Sequence, residues 1–145
     1  MIELFTIGFT KKSADVFFES LKKNNIKTVI DIRLNNVSQL AGFTKKEDLK
    51  YFLKNICNVD YQHIADLAPT DDNLKRYKTK EINWVEYESL FKDLLNTRHP
   101  ENYIKLEQLN YACLLCSEHD ATYCHRKIVA EYFKSIYENI IVNHI

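Results

Sequence analysis

The stretch from Ala112 to Phe133, ACLLCSEHDATYCHRKIVAEYF, constrains the fold more than any other part of the chain. Its apolar opening, closing at Cys116, has the length and composition of a buried strand. Further on, Ile128, Val129, Tyr132, Phe133 and Ile136 recur three and four apart, as on one face of a helix. Between the two lies a polar loop carrying Ser117, Glu118, His119 and Asp120, then Cys124, His125 and Arg126 in succession. Open α/β sheets keep their ligand sites where a strand gives way to a loop and then to a helix, at the carboxyl edge. This loop is therefore the candidate site.

The remaining segments supply strands and helices in alternation. Ile2 to Ile7, Lys27 to Ile32, Asp60 to Ile64, Tyr111 to Cys116 and Ile140 to His144 read as strands. Ser13 precedes a helical pattern of Ala14, Phe17, Phe18 and Leu21. Thr44 and Glu47 have the spacing of a capping box before Leu49, Phe52, Leu53 and Ile56. Thr70 and Asn83 are caps for two further helices, and another helix is placed near Tyr103 to Leu109. Leu34 to Phe43 has no clear period and reads as a loop. The alternation predicts a single α/β domain: a three-layer, Rossmann-like sandwich around a mostly parallel sheet of about five strands. Its crossovers should be right-handed; the strand order is not legible.

Composition narrows the functional classes. A chain of 145 residues with 20 basic and 20 acidic side chains has no formal net charge. Proteins that track long nucleic acids usually carry a basic excess, so that class is not supported. Two glycines are too few for a Rossmann or Walker phosphate loop, and no motif indicates a cofactor. No window has the roughly 18 apolar residues of a membrane span. The N-terminus lacks a secretory pattern, so a cytoplasmic location is expected. In that compartment Cys57, Cys113, Cys116 and Cys124 are expected as thiols.

Cys113 and Cys116 form a CxxC pattern, but side chains three apart on a strand face opposite ways. Cys113 is therefore assigned to the core, while Cys116 at the strand end is either a site residue or a small buried hydrophobe. A helix capped by Thr122 would place Cys124 and His125 in its first turn, where the dipole favours a thiolate. Arg126 offers a planar fork of donors, and beside a helix N-terminus it would clamp a phosphate or carboxylate. The structural alternative pairs Arg126 with Glu118 or Asp31. Glu118 is a candidate general acid or base. Asp31 and Arg33 end the second strand, and Thr6 and Gly8 end the first, with Gly8 permitting close approach. His63 and His144 lie near strand ends, where a partly buried, satisfied histidine is the commoner reading.

A metal site built from Cys116, His119, Cys124 and His125 matches no paired-knuckle spacing, and adjacent ligands at 124 and 125 would strain a tetrahedral cage. No metal site is therefore expected. Cys116 or Cys124 with a histidine base could serve as a nucleophile. The strand–cysteine–loop–arginine–helix order is loosely like rhodanese and cysteine-phosphatase loops, but Cys116 and Arg126 are too far apart for that short cradle.

The pieces TIGFT (Thr6 to Thr10), DIR (Asp31 to Arg33), LAPT (Leu67 to Thr70) and LLCSE…CHR (Leu114 to Arg126) resemble the domain of unknown function 488 family. Many relatives resemble TIGH at the first motif, where this chain has Phe9. The resemblance implies a fold and a site location without naming a reaction. Two functions are expected from the residues. The first is a small enzyme acting on an anionic, phosphorylated or nucleotide-like substrate. Its crevice would gather Thr6, Gly8, Asp31, Arg33, Cys116, Glu118, Cys124, His125 and Arg126. The second is a non-catalytic module that binds a nucleotide, a nucleic-acid end or a protein.

Overall fold

A computed structural model of the chain describes residues 1–35, 42–118 and 121–145. His119, and most of the loop assigned to Leu34 to Phe43, lie outside them. In chain order the elements are β1 (Ile2–Gly8), α1 (Ala14–Lys23), β2 (Thr28–Asp31), α2 (Lys46–Phe52), β3 (Asp60–His63), α3 (Asp71–Lys78) and α4 (Trp84–Arg98). Then come α5 (Leu106–Leu109), β4 (Ala112–Cys116), α6 (His125–Ile136) and β5 (Ile140–His144).

The five strands form one sheet in the order β3-β2-β4-β1-β5, and every pair is parallel. β4 at the centre is buried throughout, as an unbroken apolar run requires. From β1 through β3 the chain moves toward one edge of the sheet; through β4 and β5 it moves toward the other. Crossovers of constant hand must then change faces, and the core divides accordingly. Phe17, Phe18 and Leu21 of α1 pack with Leu49 and Leu53 on one side. Phe91 and Leu95 of α4 pack with Ile128, Val129 and Phe133 of α6 on the other. Cys113 belongs to the first layer and Cys116 to the second, the opposite-face placement that strand alternation predicts.

Local signals place the helices unevenly. The Asn83 side chain accepts from the Glu86 N–H at 2.9 Å, and Glu86 accepts from the Asn83 N–H at 3.3 Å, closing a full capping box on α4. Thr70 caps α3 through the Asn73 N–H at 3.1 Å. The box expected of Thr44 and Glu47 does not form. Gly42–Thr44 is a 3₁₀ turn, Lys45 is the cap residue of α2, and Thr44 is buried, its carbonyl accepting from Arg33. The helix expected at Tyr103 to Leu109 shrinks to Leu106–Leu109, after a 3₁₀ turn at Pro100–Asn102.

Candidate functional site

Register brings the carboxyl ends of the three inner strands level. Gly8 pairs with Cys116, and Asp31 with Leu115. β1 and β2 lead to one face and β4 to the other, so their loops part above the sheet, the topological condition for a ligand crevice. A cavity of about 390 Å³ opens there. Its walls include Phe9 after β1, Arg33 and Asn35 after β2, Ser117 and Glu118 after β4, and Cys124 and His125 at the start of α6.

Asp31 and Arg33 form a buried pair within this edge. Arg33 Nε and Nη2 donate to the two Asp31 carboxylate oxygens at 2.9 and 2.8 Å, and Nη2 also donates to the Thr44 carbonyl at 2.7 Å. The Asp31 carboxylate accepts further from the Tyr61 hydroxyl at 2.6 Å and the Arg33 N–H. It is thus engaged on both oxygens. Arg33 Nη1 is buried and has no hydrogen-bond partner among the described residues. The ring of Phe9 lies 5.4 Å from the guanidinium carbon, which makes it a cation–π neighbour of Arg33. His63 accepts no role in the cavity wall; its Nε2 bonds the Arg33 carbonyl at 2.7 Å.

Arg126 is placed differently from the anion clamp expected of it. It is only 1% exposed and runs beneath the β4 loop. Nε donates to the Thr6 hydroxyl at 3.3 Å, while Nη1 donates to Cys116 Sγ at 3.4 Å and to the Glu118 carbonyl. Neither Arg126 nor Thr6 is among the residues lining the cavity. Gly8 likewise makes room for protein rather than ligand. A Cβ there would collide with the Glu118 carbonyl and sit 2.6 Å from Arg126 Nη1.

Two expectations about the cysteines are corrected. Cys124 is the cap residue of α6, which begins at His125, so Cys124 stands just before the first turn and Thr122 is not the cap. Its extended backbone turns the side chain toward the end of β4, and its sulfur is joined to Cys116 in a disulfide. The expectation of four thiols rested on compartment and could not register this convergence. Cys57 and Cys113 are free, and burial pushes both thiols up, Cys113 the further.

His125 Nε2 bonds the Ile32 carbonyl at 2.8 Å. A carbonyl only accepts, so Nε2 carries the proton and the lone pair of the neutral ring is on Nδ1. Burial first, and then the charge of Arg126, hold the imidazole down at about 4 against a hydrogen bond that raises it. Glu118 is exposed, and its carboxylate is one of the groups that raise the Tyr87 hydroxyl, after burial and Tyr77.

The aromatic wall went unnoticed in the sequence. Tyr77 stacks on Tyr87 with centroids 4.7 Å apart, Trp84 meets Tyr77 edge-on at 5.7 Å, and Tyr123 meets Trp84 at 5.5 Å. Tyr77, Tyr87 and Tyr123 line the cavity along with Asp71 and Lys78 of α3. Trp84 and Tyr87 stand three apart, the spacing of one helix face packed into a core, and Tyr77 lies across a turn from them. The usable signal was the density of aromatics from 77 to 87, which is higher than one helix face needs.

Fold and crevice together define an open, all-parallel α/β domain with a charged and aromatic hollow at the carboxyl edge of its sheet. Residues 13–133 match the model of the domain of unknown function DUF488, and the chain belongs to that family. No curated protein and no solved structure matches it. Among the described residues, no helix is long and apolar enough to cross a membrane.

Proposed function

We propose that this chain is a small enzyme acting on a phosphorylated, nucleotide-like substrate in the crevice at the carboxyl edge of the sheet. The observation that carries the reading is Arg33. A buried guanidinium nitrogen without an acceptor is costly and uncommon in a native fold. Here it belongs to a residue of the cavity wall, whose other two nitrogens are fixed by Asp31 and Thr44. An anionic group entering beside Arg33 supplies an acceptor that no described residue gives this nitrogen. Lys78, exposed on the same wall, adds a second positive charge. Tyr77, Tyr87 and Tyr123 offer faces and edges to a base, a contact worth about 1–3 kcal/mol per stacked base. Glu118 is the carboxylate that can move a proton, because Asp71, the other described carboxylate of the wall, is paired with Lys75, and the nearby Asp31 is engaged by Arg33 and Tyr61.

The test is calorimetric titration of the protein with adenosine 5′-monophosphate and with inorganic phosphate, followed by turnover assays on a panel of phosphate esters. Both probes should bind. Arg33→Lys should weaken both at least tenfold, Tyr123→Ala should weaken only the nucleotide, and Glu118→Gln should bind but fail to turn over. Binding without turnover by the native chain would favour the non-catalytic module. No binding of either probe, or an Arg33→Lys variant of native affinity, would overturn the assignment of the anion to Arg33.

A further inference from the structure

We propose that Cys116, Cys124 and His125 together form a zinc site in the reduced protein, and that the disulfide is its oxidised, metal-free form. One ligand atom from each residue lies within 4.8 Å of the others. Tetrahedral zinc with Zn–S near 2.3 Å and Zn–N near 2.0–2.1 Å needs ligand atoms about 3.5–3.8 Å apart. Small rotations of three side chains reach that spacing.

Adjacency of residues 124 and 125 is the objection the sequence raises, and the backbone removes it. Cys124 is extended, with φ −134° and ψ 141°, whereas His125 opens the helix. The change of conformation between them turns two neighbouring side chains toward one point. Cys116 arrives from the end of β4.

The surroundings are those of a ligand set. Metal-bound histidines usually donate their second ring N–H to a carbonyl or carboxylate, which fixes the tautomer. His125 does so through Nε2 to Ile32, leaving Nδ1 for the metal. Arg126 Nη1 donates to Cys116 Sγ at 3.4 Å, a contact that favours the thiolate a metal requires. Two thiolates and an imidazole are the donor set of zinc rather than of magnesium or calcium. Cys124 and His125 also line the cavity, so the fourth position is reached from there.

The chemistry balances. A phosphine and one water reduce the disulfide, giving two thiols and one phosphine oxide. Zinc then binds and releases the two thiol protons to the buffer. Zinc binding does not depend on the substrate reading, because its readouts involve neither phosphate nor Arg33.

Reduced, chelator-treated protein is titrated with Zn²⁺ and separately with Co²⁺. One zinc per chain is expected, with loss of two titratable thiols and a rise in melting temperature. Cobalt should show thiolate charge transfer and the intense d–d bands of a tetrahedral site. Cys124→Ser and His125→Gln should each weaken zinc at least a hundredfold while circular dichroism stays native, and the oxidised chain should not bind. Should a variant unfold, thiol titration of the reduced native chain with and without zinc decides. Both thiols remaining reactive in saturating zinc would overturn the site, as would zinc bound unchanged by both variants.

Discussion

Two buried arginines stand at the same edge of the sheet, and they are held in different ways. Arg126 directs its donors into protein groups from β1, β4 and the loop after β4, so it fastens three segments together. Arg33 is gripped on one side by Asp31 and Thr44 and keeps a buried Nη1 without an acceptor among the described residues. Charge and burial are alike in the two; satisfaction is not. A satisfied buried guanidinium is part of the frame. One left short of an acceptor beside a cavity has a donor to offer.

The largest effect tests the frame. Gly8→Ala puts a methyl group into the Glu118 carbonyl, which is backbone and cannot rotate away. The cost should reach about 3 kcal/mol or more, a large part of the stability of a domain this size. Urea unfolding reads it directly. A loss below about 0.5 kcal/mol would mean that the loop after β4 is not held against β1.

Arg126→Met keeps most of the volume and removes the donors. Stability should fall by about 2–3 kcal/mol, because the Thr6 hydroxyl and the Glu118 carbonyl lose a charged partner. Binding of adenosine 5′-monophosphate by the folded variant should stay within about twofold of native, the size of an indirect effect well below 1 kcal/mol. Arg33→Lys should do the reverse. Lysine keeps the charge but not the planar fork. Anion affinity should drop at least about tenfold, near 1.4 kcal/mol, with the smaller change in melting. If Arg126→Met loses more affinity than Arg33→Lys, the two roles are exchanged.

Legibility followed the range of the signal. All five strands and the α/β class were readable, since the β-branched run Thr28–Asp31 and the short apolar run Ala112–Cys116 announce themselves locally. The caps at Thr70 and Asn83 were readable for the same reason. Contacts set by strand order were not. That β4 lies between β1 and β2 brings Gly8 under Glu118 and Asp31 level with Leu115, and no local pattern encodes that order. Arg126 drew attention as the conspicuous cation beside a helix start, yet its side chain runs inward to Thr6, 120 residues earlier. Tyr77 joined the cavity because α3 and α4 fold against each other, which periodicity within either helix does not reveal.

The smallest effect examines how far the influence of Arg126 extends. Its Nε donates to the Thr6 hydroxyl, and Thr6 Oγ1 in turn bonds His144 Nδ1 on β5. In the neutral His144 tautomer that leaves Nδ1 unprotonated, the hydroxyl gives its proton to that lone pair. Protonating Nδ1 would break this relay. The His144 imidazole is held below its ordinary 6.5, by burial first and then by Arg126 and Lys127, with Glu131 opposing. The unfolded chain therefore takes up the proton first as pH falls. The contribution of His144 is complete above pH 6.5 and declines below it, until the folded imidazole titrates as well. Arg126→Met removes one of the two repelling charges and the donor at the head of the relay. The His144 pKa should rise toward its ordinary value and the acid-sensitive range should narrow, which the His144 Cε1 proton resonance follows across a pH series. An unchanged titration in that variant would leave burial and Lys127 as the causes and confine Arg126 to the β1–β4 junction.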